Sequence, residues 1–378
     1  MPRGLPRATA LESLRLAAAL VPPGAPHVAA GRDLLRGRPL LADLESRYGG
    51  RPVLVRGRRG PALLVLSRRD ALRVLEDERG AYAPARDERR LSLPTDVLRP
   101  AFIEIAREEA AELADGVVGY ERLDARWQRV ARRCVYGDGA AGDQELTTLL
   151  ARLGRHQAGR RQEILSGRYD ARILDHLRRA EPGSVAGLIA ETSGEAESRR
   201  LMQAAFWLMG LGVAATGLMQ TLALLAIHPS HRKAARADSQ HLRACLREAL
   251  RLWPPVPALS RVTTVSTEWC GTTVPAGTTV LVPLAAHQRS ARLPYANTFA
   301  PEIWLDGTAA GEWWARPGCD GVQLTLAVGT AFLGGMLRAA RPKPVGRLLS
   351  PHRPLPYTLN VSRLRVRMRP ARRGPAQP

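Results

Sequence analysis

Lysine is nearly missing from this chain of 378 residues. Lys233 and Lys343 are its only two, although Lys and Arg together number 56 against 35 Asp and Glu, a formal charge of +21. The arginines are spread along the whole length rather than gathered into a patch, so no nucleic acid is expected as a partner. A basic surface that docks an acidic protein remains open. Cysteine is sparse as well. Cys134, Cys245, Cys270 and Cys319 show neither CxxC nor zinc-ligand spacing, and no secretory signal is legible, which predicts a reducing, cytoplasmic setting. HExxH, the Walker loop, GxSxG and GxGxxG are all absent, which removes zincin, nucleotide-binding and serine-hydrolase readings.

What is present begins with a core. Hydrophobic residues make up 45% of the chain, enough for a large buried interior. From Leu201 to Ile227, LMQAAFWLMGLGVAATGLMQTLALLAI carries no charge and is long enough to cross a bilayer. A helix buried on all sides has the same composition. Charged amphipathic segments on both sides of this single mid-chain run favour the buried helix, so no membrane span is expected. The apolar run in LESLRLAAALVPPG is too short to span.

Short apolar runs between Pro52 and Ser67 alternate with Arg-Gly turns and predict a hairpin. Helical periodicity follows: Asp70 to Leu75, Ile103 to Gly116, Ala125 to Val135, the charge-free helix, then Arg232 to Leu252, stopped by Trp253-Pro254-Pro255. SRVTTVSTEWCGTTVPAGTTVLVPL turns β-rich, with Cys-Gly and Pro-Ala-Gly turns. A meander around Pro301, a helix from about Gly321 to Ala340 and a terminal hairpin in PYTLNVSRLRVRM complete the pattern.

Three places can carry chemistry. In WWARPGCDGVQLTL, Cys319 sits where a polar loop becomes a helix, so the helix start would stabilise a thiolate; a buried structural cysteine is the alternative. Glu248 and Arg251 share one helix face at i, i+3, a spacing that is most often a surface ion pair. Arg261 lies on the first strand after the Pro-Pro stop, 71 residues of chain separating Glu248 from Cys319.

Together these resemble the cytochrome P450 family of haem-thiolate proteins, of the bacterial type, over nearly the whole chain. REALRLWPPVPALSR is similar to the family's ExxR helix and next strand, VPAGTTVLVPLAA to its following hairpin, FAPEIWLDG to its meander, and CDGVQLTLAVGTAFLGGML to its cysteine loop and helix. The resemblance implies one domain over residues 1–378, mainly α with a smaller β-rich lobe. Residues 1–50 form an N-terminal segment, 51–69 and 256–285 the β-rich lobe, and 70–255 the helical lobe. Residues 286–340 hold meander, cysteine loop and helix, and 341–378 a hairpin and tail. A long central buried helix would lie over haem b, with the cysteine loop on the other side. Cys319 becomes the axial ligand of the iron, Gly321 and the helix dipole tune it, and Arg316, Gly210 and Arg261 border the cofactor, Arg261 at a propionate. Glu248 and Arg251 become a structural lock.

Departures from the family pattern are informative. Pro317 stands where an arginine precedes the cysteine, with Arg316 and Trp313 further back. Ile303 replaces the meander arginine of the lock, so a substitute such as Arg289 is expected to pair with Glu248. Counting back from His228-Pro229, the oxygen-activating acid and alcohol fall at Gly212 and Val213, while Gly210 is kept; Thr216, one turn on, could offer a hydroxyl or bond to its own helix. The resemblance implies a monooxygenase acting on a small to medium apolar molecule with electrons from an acidic ferredoxin. A peroxide-driven or redox-neutral haem enzyme, and a non-catalytic helper subunit, are the alternatives.

Overall fold

The computed structural model describes residues 4–20, 40–57, 60–77, 80–84, 93–153, 159–192, 194–256, 258–290, 292–309 and 320–370. The chain opens with α1 (Ala10–Leu20), started by a capping box: the Thr9 hydroxyl accepts from the Glu12 amide at 3.2 Å and the Glu12 carboxylate accepts from the Thr9 amide at 2.7 Å. Helix α2 covers residues 40–48. The hairpin β1 (Val53–Gly57) and β2 (Gly60–Leu64) follows as the sequence predicts, then α3 (Arg68–Leu75), capped by Ser67, and β3 (Tyr82–Pro84).

The helical lobe runs through α4 (Arg99–Ala111), β4 (Gly116–Gly119), α5 (Tyr120–Tyr136), α6 (Gln144–Leu153), α7 (Arg160–Arg179), α8 (Val185–Glu191), α9 (Glu197–Gly212), α10 (Ala214–Ile227), α11 (Pro229–Ala237) and α12 (Ser239–Leu252). The segment expected as a helix from Ile103 to Gly116 starts earlier, where Pro100 fits the first turn, and Gly116, at φ 77°, opens a strand instead.

The second β segment supplies β5 (Ala258–Thr263), β6 (Thr267–Trp269), β7 (Thr272–Val274) and β8 (Thr279–Pro283), followed by α13 (Leu284–Gln288). Cys270 and Gly271, at φ 50° and 72°, make the tight turn between β6 and β7. One five-stranded sheet has the order β1-β2-β8-β5-β3, with β2 and β8 parallel. It is buried on both faces, and its alternation is visible in β2: Leu63 joins one cluster with Val280, Val282 and Trp269, whereas Ala62 and Leu64 join Leu16, Leu40 and Leu44 of α1 and α2.

After α14 (Asp320–Ala339) come β9 (Ala340–Pro344) and β10 (Arg365–Pro370). The terminal hairpin expected within residues 356–368 does not form; β10 lies between β9 and β4 in a three-stranded sheet. The large core is shared by α4, α5, α9, α10, α12 and α14. Glycine allows the closest approaches: a Cβ on Gly217 would lie 2.6 Å from Leu250 Cδ2, so α10 and α12 meet almost backbone to side chain.

The charge-free segment is a buried core helix, 89% of its most apolar window being covered by protein. It extends from Glu197 to Ile227 and is interrupted at Val213, between α9 and α10. The single unbroken helix expected from composition is thus divided, for a reason supplied by α5. Trp127 Nε1 donates to the Leu211 carbonyl at 2.7 Å and Gln128 Nε2 to the Gly212 carbonyl at 3.3 Å. Side chains entering a helical ladder in this way are a recognised cause of a break.

Candidate functional site

Glu248 and Arg251 are not the surface pair that their spacing alone suggests. Both are buried, and Arg251 grips the carboxylate with two hydrogen bonds, Nε to Oε2 and Nη2 to Oε1, each 2.7 Å. The remaining arginine protons go to carbonyls at the end of α13 and in the meander: Nη1 to Gln288 at 2.7 Å, Nη2 to Tyr295 at 3.0 Å and Thr298 at 3.2 Å. A bidentate pair with every donor used is the arrangement that makes burial of two charges tolerable.

The substitute for the missing meander arginine is Trp304, not Arg289. Trp304 Nε1 donates to Glu248 Oε2 at 3.0 Å and the Ala300 amide donates to Oε1 at 2.9 Å, while Ile303 is buried beside them. The Arg247 guanidinium lies 4.3 Å over the Trp304 ring and holds it in place. Arg289 is buried and serves another purpose, donating to the carbonyls of Leu252, Leu355, Pro356 and Tyr357 and to Asn297. It fastens the chain after the Pro-Pro stop to the segment preceding β10. His287, next to the lock's Gln288, meets the Val65 carbonyl at 3.1 Å and ties α13 to the sheet; burial pushes its imidazole down to about 4.

The central helix presents a different picture. Met202 and Met209 are 47% and 41% exposed on α9, whose opposite face, with Ala204, Trp207, Leu208 and Leu211, is buried, and a Cβ added to Gly210 would meet nothing within 4 Å. Met202, Phe206, Met209 and Val213 follow helical spacing and make one apolar stripe. Along its flank Gly212 is covered by α5: a Cβ there would stand 3.0 Å from Gln128 Oε1. Gln128 Nε2 also donates to Asp124 at 3.0 Å. Thr216, buried, neighbours the phenol of Tyr120, which burial, and then the charge of Asp124, push above its ordinary pKa.

Arg261 is buried on β5, opposite Val280 of β8 and Pro84 of β3, and its Nη1 donates to the Ser260 carbonyl at 3.0 Å. Gly321 lies in the first turn of α14, its carbonyl accepting from the Thr325 hydroxyl at 2.6 Å. Cys319, Arg316, Pro317 and Trp313 lie outside the described residues. Sequence reasoning missed Trp304, Trp127, Gln128 and Tyr120. Trp304 had a local signal, standing beside Ile303; the three α5 residues had none.

A mainly helical fold with a small β lobe, a buried Glu-x-x-Arg lock closed on a meander, and a long core helix crossing the middle is the arrangement that the sequence resemblance leads one to expect. The cytochrome P450 family model matches residues 195–312. The cytochrome P450 monooxygenase buaD of Petromyces alliaceus is 40% identical over 81 residues, 20% of this chain and 15% of that protein. The cyclooctat-9-en-7-ol 5-monooxygenase of Streptomyces melanosporofaciens is 31% identical over 168 residues, 39% of this chain and 35% of that protein. These alignments thus span about a third or less of the relatives' lengths. The solved structure of retinoic acid-bound cyanobacterial CYP120A1 shares the fold across 93% of this chain and all of that one, at a TM-score of 0.70 and 14% identity. Residues 195–312 thus match the cytochrome P450 model, and the fold of the chain is the one that solved cytochrome P450 structures share.

Proposed function

We propose that this protein is a haem-thiolate monooxygenase that oxidises a small to medium apolar organic molecule, with Cys319 as axial ligand of haem b and an acidic ferredoxin as electron donor. The observation that carries the reading is the closed Glu248–Arg251 lock, which fastens residues 288–304 to α12 and so fixes the meander leading toward Cys319. The residues fit a flat apolar cofactor with substrate beside it, because Met202, Met209 and Gly210 leave open apolar surface on one side of α9. Arg261 would hold a propionate through its guanidinium. When bound, the haem supplies redox chemistry at an iron enriched in electron density by the thiolate.

The chain's own residues orient and exclude. Phe206, Met209 and Val213 offer an apolar substrate no hydrogen-bonding partner and keep water away from it. The relative from Streptomyces is named for oxidation of cyclooctat-9-en-7-ol, which agrees with a substrate of this character. A second reading has a specific observation in its favour: neither Gly212 nor Val213 can hold or pass a proton, and Gln128 covers the first of them. A peroxide-driven or redox-neutral reaction needs no such relay.

The test is the ferrous-CO absorption spectrum of purified protein. A strongly red-shifted Soret band that disappears in Cys319→Ala supports the haem-thiolate reading; protein purified without haem overturns it in favour of a helper subunit. Product formation with a surrogate ferredoxin, compared with product formed from peroxide, then separates the two enzyme readings.

A further inference from the structure

A cavity of about 430 Å³ opens between α4, α11, α12 and α14, away from the apolar stripe of the central helix. Each of the four helices sends one arginine to its wall: Arg107, Arg236, Arg243 and Arg338. No carboxylate is among the described residues that line it. Of the nearby acids, Glu104 pairs with Arg107 itself and so offsets one of the four charges, and Asp238 caps α12 by accepting from the amides of Gln240 and His241 at 2.8 and 3.1 Å. Arg243 donates to Gln323 at 2.5 Å and is engaged further, whereas Arg236 and Arg338 have neither hydrogen bond nor ion pair among the described residues. The positive field is felt by a neighbour: the Arg232 pKa is lowered, by burial first and then by Arg341 and Arg236. Guanidiniums brought together in this way repel one another unless an anion sits between them.

The shape of the place narrows the class of anion. It is a recess rather than a flat patch, and its floor is small and apolar, with Ala331, Gly334 and Leu242. A recess of this size takes a small molecule, and the floor suits an uncharged body beneath a charged end. The arginine forks match phosphate and carboxylate oxygens. On α14 the lining runs from Ala327 to Arg338, so Arg338 lies seventeen positions from Gly321, roughly 25 Å at 1.5 Å per residue, and the near edge of the cavity six positions, roughly 9 Å.

We propose that this cavity is a binding site for a small organic polyanion, carrying phosphate or carboxylate groups on an apolar body. It stands independently of the haem reading. The test is calorimetric titration of the full chain with inorganic pyrophosphate and, separately, citrate, at an ionic strength held constant with NaCl. Saturable binding of either is expected, weakened at least tenfold in Arg236→Glu/Arg338→Glu. Both side chains are exposed, so the variant keeps the fold, which far-UV circular dichroism and an unchanged thermal midpoint without ligand would verify. Preference for pyrophosphate assigns a phosphate ligand, and preference for citrate a carboxylate. Equal binding by the charge-reversed variant, no heat at constant ionic strength, or binding confined to acidic proteins overturns the proposal.

Discussion

The lock around Glu248 lacks one residue that the family resemblance leads one to expect and the helix break at Val213 lacks two, and the two gaps are filled differently. At the lock an arginine is gone, yet the carboxylate still receives four hydrogen bonds, because Trp304 and the Ala300 amide donate where the arginine would. At the break the resemblance leads one to expect an acid and an alcohol, and Gly212 and Val213 have the side chain of neither. Gln128 closes over Gly212 and spends its amide protons on the Gly212 carbonyl and Asp124. A buried charge cannot be left unpaired, so the first position was under a constraint of stability. A residue that acts only on a bound reactant carries no such constraint, and its place can be filled by packing.

The contrast predicts a graded series of effects. Glu248→Leu leaves Arg251 buried without its partner and is expected to cost about 3–5 kcal/mol, read from urea unfolding; a loss below 1 kcal/mol would mean the lock is not held as described. Lowering the pH loosens the anchor beside it. His287 has a folded pKa of about 4, below its ordinary 6.5, so the unfolded chain takes up the proton first as pH falls. Its contribution is therefore whole above about pH 6.5 and lost on the way to pH 4, by roughly 3 kcal/mol at most. His287→Gln should flatten that part of the stability profile.

Smaller effects should follow at the substitute donor and at the break. Trp304→Phe keeps the ring and removes the indole proton from Glu248, an expected loss of about 1–3 kcal/mol. Gly212→Asp forces Gln128 aside and is expected to cost about 1–2 kcal/mol, most of it recovered in Gly212→Asp/Gln128→Ala when both are unfolded in parallel. Gln128→Ala alone frees one carbonyl and should cost about 1 kcal/mol. If Gly212→Asp proves as stable as the parent chain, α5 does not confine that position.

The sequence made the lock legible because both of its residues lie on one helix turn, directly before a Pro-Pro stop that marks the turn's place in the fold. Its burial was not legible, since i, i+3 spacing is the same on a surface. The core helix was legible from its want of charge, but the break was not: the donors that cause it stand 84 residues upstream. Strand partners were the weakest point for the same reason. The pattern of β10 announces a strand, but its neighbours β9 and β4 are chosen by the way α14 and α5 pack, not by the residues adjoining it.

The parallel pairing of β2 with β8 has a consequence in time. Ala62, Leu63 and Leu64 stand against Thr279, Val280 and Leu281, more than two hundred residues later in the chain. On a ribosome the first hairpin emerges long before its neighbour exists, and the whole helical lobe is made in between. The apolar strand edge must therefore wait uncovered, and closing so long a loop makes the step slow as well as late. Yield in a foreign host should accordingly depend on what shields that edge during synthesis, such as chaperone supply and lower temperature, more than on the stability of the finished fold.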